Sequence, residues 1–182
     1  LTDIPSRNEC LEILQEAGCS EPVIIHCKLV CRGSLLVGKA AGADLELVEA
    51  GALLHDLGRA RTHGLTHAVV GAEMATKLGL PEPIIRIIRR HLGSGMSAEE
   101  AKSLGLPAED CFPETPEERI VCHVDSLAAA DRFRTLEQTL TELRKKGLGT
   151  VAERAAEMHR RLSRECGEDP DILLRTIWPP SG

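Results

Sequence analysis

Four histidines and two aspartates, His26, His55, Asp56, His67, His91 and Asp125, are side chains of the types that hold a transition metal. Neutral imidazole with carboxylate suits Mn, Fe, Co, Ni or Zn, and the set lacks the all-oxygen character that Mg and Ca prefer. Six donors are too many for one catalytic ion with an open position. They suit two ions sharing one carboxylate, roughly 3.5–4 Å apart. Two divalent ions against two carboxylates leave the site positive, ready for hydroxide and an anionic substrate. The doublet His55-Asp56 closes the apolar run Ala52-Leu53-Leu54. Neighbours on a helix point about 100° apart, so both reach one centre only beside the helix end. Gly58 is placed to end that helix and open space. Taken singly, each residue has a bland explanation: His26 among Ile24, Ile25, Leu29 and Val30 as a core histidine, His55-Asp56 as a polar helix end near the dipole. The set as a whole points to metal.

The elements that must position these residues read as helices. Ser6 to Glu9 forms a capping box for a first helix reaching about Gly18. Glu21-Pro22 opens a second, carrying His26 toward Gly42 and loosened near Gly33. Asp44 caps a third, residues 45–57, that delivers His55 and Asp56. Thr66 caps a fourth from His67 to Leu78, and paired isoleucines from Ile84 to Ile88 make a fifth that ends at His91. Residues 93–115 are rich in Gly, Ser and Pro, with one short helix capped by Ser97; a lid-like segment and an ordered surface excursion fit equally. Thr115-Pro116 then opens a helix with Asp125 inside the stripe Ile120, Val121, Val124 and Leu127. A carboxylate there is costly unless paired or metal-bound. Beyond residue 134 the helices 135–146, 150–166 and 169–178, the last docking Trp178, read as packing without chemistry. His123, two residues before Asp125, is expected to face another way, and His159 to lie at the surface. No strand alternation occurs, so the expected class is all-α. Length predicts a single domain over 1–182, with the helices past residue 134 an extension over 135–182.

A net charge of −6, a pI of about 5.7, two Phe, one Trp and no Tyr argue against a general nucleic-acid or anionic-membrane surface. No run is long and apolar enough to span a bilayer, and Leu1 to Pro5 does not resemble a signal peptide. Seven cysteines without a CxxC suggest reduced, buried thiols in a cytoplasmic protein.

In that order, His26, His55-Asp56 and Asp125 match the H…HD…D pattern of the HD-domain metal-dependent phosphohydrolases. His26 begins a His-x-x-x-Val turn, His55-Asp56-Leu57-Gly58-Arg59 resembles the family's His-Asp-Ile-Gly-Lys, and Val124-Asp125-Ser126-Leu127 resembles its Ala-Asp-x-Leu. The likeness covers about residues 20–134. The text around His67 to Glu73 and Arg90 to Gly93 looks like a mainly archaeal branch with no defined substrate. The resemblance implies an HD-type helical bundle with extra C-terminal helices. It implies that His26, His55, Asp56 and Asp125 hold a first metal, and that Asp56 bridges to a second held by His67 and His91. A metal-activated water would attack phosphorus, and Arg59 would hold a substrate phosphate, with Lys28 and Arg132 as weaker candidates for that role. The cyclic-dinucleotide branch carries a Gly-Tyr-Pro element; here Leu92 follows His91 and no tyrosine exists. His67 follows Asp56 by only eleven positions, so the second site needs a tight loop. Otherwise one ion is bound and His63 competes as ligand. The expected activity is hydrolysis of a small phosphorylated metabolite or nucleotide. The same ligands also suit a di-iron oxygenase of a small polyol or phosphonate, or a non-catalytic metal or nucleotide sensor.

Overall fold

The computed structural model describes residues 3–129 and 132–177. Within them the chain is all-α. The helices are α1 (Arg7–Ala17), α2 (Glu21–Ala41), α3 (Leu45–Leu54), α4 (His67–Lys77), α5 (Glu82–Arg90), α6 (Ala98–Ser103), α7 (Pro116–Leu127), α8 (Leu136–Lys145), α9 (Gly149–Cys166) and α10 (Pro170–Arg175). Among the described residues no strand forms, and an isolated bridge joins Ala128 to Phe133. No helix among them is long and apolar enough to cross a membrane.

Local chemistry sets most helix starts. Ser6 with Glu9 and Ser97 with Glu100 form complete capping boxes, and Asp44, Thr115 and Asp169 cap α3, α7 and α10 through their side chains. Thr66 precedes α4 without a side-chain cap. The helices pack around α2, which meets α3, α7, α9 and α10. The core is aliphatic and thiol-rich: Val30, Val37, Leu53, Ile87, Ile120 and Leu127 are buried together with Cys10, Cys27, Cys31 and Cys122, and every cysteine is free.

Two local expectations change, and a choice left open is decided. α3 stops at Leu54, and Leu57–Ala60 continue as a 3-10 turn, so Gly58 does not end the helix. A Cβ on Gly58 would collide with the His67 carbonyl and the Gly71 amide; the missing side chain lets this turn press on the start of α4. Gly33 does not loosen α2, which runs unbroken. A Cβ there would come within 2.8 Å of Phe133, Leu174 and Val124, so the glycine serves close packing. The 93–115 stretch is an ordered excursion. Arg89 binds Glu109 at 2.8 Å, Arg86 binds Glu114 at 2.7 Å, and Arg154 binds Glu100 at 3.0 Å while standing 5.9 Å over the Phe112 ring. Beneath it the buried carboxylate of Glu118 accepts from Arg86, Arg90 and the Glu114 amide. The expected docking of Trp178 lies outside the described residues.

Candidate metal centre

The six candidate ligands come from five helices or their ends and meet at one place. His26 stands on α2, His55 and Asp56 just past α3, His67 at the first position of α4, His91 just past α5, and Asp125 near the end of α7. His26 Nε2 donates to Asp125 Oδ1 at 2.9 Å, and His55 Nε2 lies 3.4 Å from the same oxygen. Asp56 faces both ways. Its Oδ2 is 3.8 Å from His26 Nε2 and from His55 Nε2, while its Oδ1 is 3.0 Å from His67 Nε2 and 3.8 Å from His91 Nε2. The tight loop places His67 in the cluster, and the His63 ring is exposed. His55, His67 and His91 are buried, whereas the His26 and Asp125 side chains keep 20% and 22% of their surface, so the cluster opens on that side.

The ring orientations test whether a cation fits. In His55, His67 and His91, Nδ1 lies 2.7 Å from the carbonyl three residues upstream: Ala52, Gly64 and Ile88. A carbonyl only accepts, so Nδ1 carries a proton in each ring, and Nε2 is the atom turned inward. His67 and His91 then direct lone pairs at each other across 3.0 Å, and the buried Nε2 of His55 has no hydrogen-bond partner. Such an arrangement is repulsive until a cation enters, and it fits a metal. Two triplets, His26-His55-Asp125 and His55-Asp56-His91, bring ligand atoms within 4.8 Å of one another.

Electrostatics agree with that reading. Burial works against charge on His55, but the Asp125 and Asp56 carboxylates outweigh it and the ring is pushed up to about 9. Burial, then the charge on His55, pushes His91 down to about 4. Burial also opposes ionisation of Asp56 and Asp125, yet the charge on His55, joined at Asp125 by the His26 hydrogen bond, holds both well below the usual carboxylate range.

Arg59 joins the cluster through Nε, 3.1 Å from Asp56 Oδ1, and its Nη1 donates to the His63 carbonyl at 2.6 Å. Lys28 and Arg132 are not brought there. Lys28 is exposed, and two residues from His26 on a helix it points about 200° away. Arg132 lines a cavity that none of the six ligands touches.

His159 is buried, not at the surface. Its Nδ1 is 2.9 Å from His123 Nε2, and its Nε2 donates to Asp169 Oδ1 at 3.1 Å. The expected polar exposure of an amphipathic helix misplaced it. Its spacing from Ala152, Ala155 and Leu162 puts it on the apolar stripe of α9, which was the available signal. Burial pushes His123 down to about 3, so this pair stays neutral on the His123 side.

A family model described as HD domain matches residues 23–130. The chain is 44% identical over 170 residues to a tRNA (cytidine(56)-2'-O)-methyltransferase of Thermoplasma volcanium, covering 93% of this chain and 50% of that protein. It is 33% identical over 131 residues to Ribonuclease Y of Aquifex aeolicus, covering 69% of this chain and 21% of that one. Among solved structures it is similar to the L. monocytogenes phosphodiesterase PgpH HD domain in complex with cyclic-di-AMP. That match has a TM-score of 0.62 and 16% identity, covers 96% of this chain and 99% of the other, and concerns the fold. The chain spans about half the length of the methyltransferases it matches.

Proposed function

We propose that this chain, which belongs to the HD-domain family, is a metal-dependent phosphohydrolase that cleaves a phosphate ester of a small metabolite or nucleotide. One observation carries the reading: buried imidazoles with protons fixed on Nδ1 turn their lone pairs onto two shared carboxylates. His26, His55 and Asp125 would hold one divalent transition-metal ion and His67 with His91 a second, with Asp56 common to both. Bound there, Mn, Fe, Co, Ni or Zn would polarise a phosphoryl oxygen and acidify a water at neutral pH.

The chain's own residues do the rest. Arg59 steadies Asp56 through Nε and keeps Nη2 for a phosphate oxygen, a planar donor suited to that anion. The half-open edge at His26 and Asp125 admits substrate, while buried His55, His67 and His91 close the opposite wall against water. The free thiols suit a reducing compartment such as the cytoplasm.

A second reading directs the same chemistry at an RNA phosphodiester, favoured by relatives named as a tRNA methyltransferase and a ribonuclease. The charge of −6 favours the compact substrate. The test is metal analysis of the purified protein, then an anaerobic panel of nucleotides, phosphate esters and short RNA with added manganese. Turnover that Asp56→Ala abolishes supports the hydrolase. Dependence on iron and dioxygen would replace it with an oxygenase. Tight metal binding without turnover of any ester would leave a sensor.

A further inference from the structure

Away from the six ligands, a cavity of about 830 Å³ runs along α8 and beside α10. That volume lies within the roughly 300–1,000 Å³ of small-ligand sites. Its walls include Phe133, Arg134, Gln138, Thr141, Lys145 and Arg175.

Charge gives the first indication of a ligand. Arginines elsewhere are mostly engaged, as Arg7 is by Glu49 and Arg119 by Glu165. The Arg134 side chain makes no hydrogen bond or ion pair with any described residue, and Arg175 makes no hydrogen bond but feels the charge of Asp171 on the same cavity. Two guanidinium groups on one cavity, neither hydrogen-bonded to a described residue, are planar donors for phosphate oxygens. Opposing carboxylates are partly occupied: Asp171 accepts the Leu136 amide at 2.9 Å, and Glu142 has Lys145 at 3.8 Å. Glu137 remains.

Shape gives the second. Phe133 is one of two phenylalanines in a chain without tyrosine, and it forms part of this wall. Gln138 and Thr141 sit one turn apart on α8, offering an amide and a hydroxyl to the same ligand. Position gives the third. Phe133 and Leu174, both lining the cavity, pack on Gly33 of α2. Gly33 is seven residues past His26, on the same helix face and about 10.5 Å along the axis.

We infer that this cavity is a nucleotide-binding site, with a base against Phe133, Gln138 and Thr141 and phosphate at Arg134 and Arg175. Two sources share that chemistry. The nucleotide is either a separate effector or the second unit of a dinucleotide whose scissile phosphate lies at the metal centre. Binding at the cavity stands independently of the hydrolase reading; the dinucleotide source rests on it.

The experiment titrates a fluorescent ADP analogue by anisotropy into the full chain, with EDTA to silence the metal centre. Arg134→Ala/Arg175→Ala is expected to weaken binding about tenfold or more. Arg144→Ala, an unpaired arginine outside the cavity, is expected to leave it unchanged. Either single substitution serves the same purpose if the double variant does not fold. Equal binding by wild type and double variant, or none up to about 1 mM, overturns the inference. Kinetics with p-nitrophenyl phosphate, too small to reach the cavity, separate the sources. An effector changes its kcat/KM when ADP is added. For a dinucleotide substrate, the double variant raises KM for pApA about tenfold while KM for p-nitrophenyl phosphate holds. Where wild type cleaves these esters, binding without either effect overturns the assignment to both sources. If wild type with manganese cleaves neither ester, the hydrolase reading fails while the anisotropy still decides the cavity.

Discussion

His55 and His91 show how far one cluster can drive two identical side chains apart. His55 is pushed up to about 9 and His91 down to about 4, because the carboxylates hold one proton and its charge repels the next. His55 lies above its ordinary value, so protonation stabilises the metal-free fold below about pH 6.5, and that contribution is lost as pH rises through 9. Metal uptake runs in the opposite sense, since the ion must displace this proton. Manganese titrations by calorimetry in buffers of different ionisation enthalpy are expected to show proton release near pH 7 and affinity that tightens up to about pH 9. Arg59→Ala is expected to raise KM if it grips ground-state phosphate, or to lower kcat if the grip strengthens in the transition state. The variant also frees Asp56 Oδ1, so metal content measured alongside separates the two roles. The order of His26, His55-Asp56 and Asp125 was legible because family spacing survives in the chain. The buried His123–His159 contact was not, because it joins α7 to α9, which no local pattern couples. His159→Ala leaves His123 without its partner and is expected to cost about 1–3 kcal/mol in chemical denaturation.

Helix caps made the element boundaries readable, and glycine roles were what sequence misjudged. Propensity treats an interior glycine as a weak point. Gly33 and Gly58 instead admit a neighbour, and only the tertiary arrangement reveals which. Gly58→Ala should push the turn off α4 and carry His67 away from Asp56. The expected result is roughly half the metal per chain by elemental analysis, with the His26 side retained. Gly33→Ala would crowd Val124 and Leu174, and a loss of about 1–3 kcal/mol is expected in the same denaturation assay. The 93–115 stretch was ambiguous from composition because its order comes from Arg–Glu pairs to α5 and α9, reaching across as many as 54 positions.

For the molecule as a whole, the candidate ligands span residues 26 to 125, so the unfolded chain offers no comparable site. Ions that bind only the folded state stabilise it by about 2.7 kcal/mol at one hundred times Kd, or roughly 5–10 °C in Tm for a chain of this size. Manganese is expected to raise Tm by that amount in scanning calorimetry, and EDTA to reverse it. The all-α class was legible from helical periodicity and an aliphatic core, while convergence on one centre needed the packing of α2 against α3 and α7. Ala52, Gly64 and Ile88 steer the three inner rings with their main chain. Any amino acid at those positions brings the same acceptor, so mutation there is silent for aim. Selection for a different ion is left with the donors themselves and with the rim around His26.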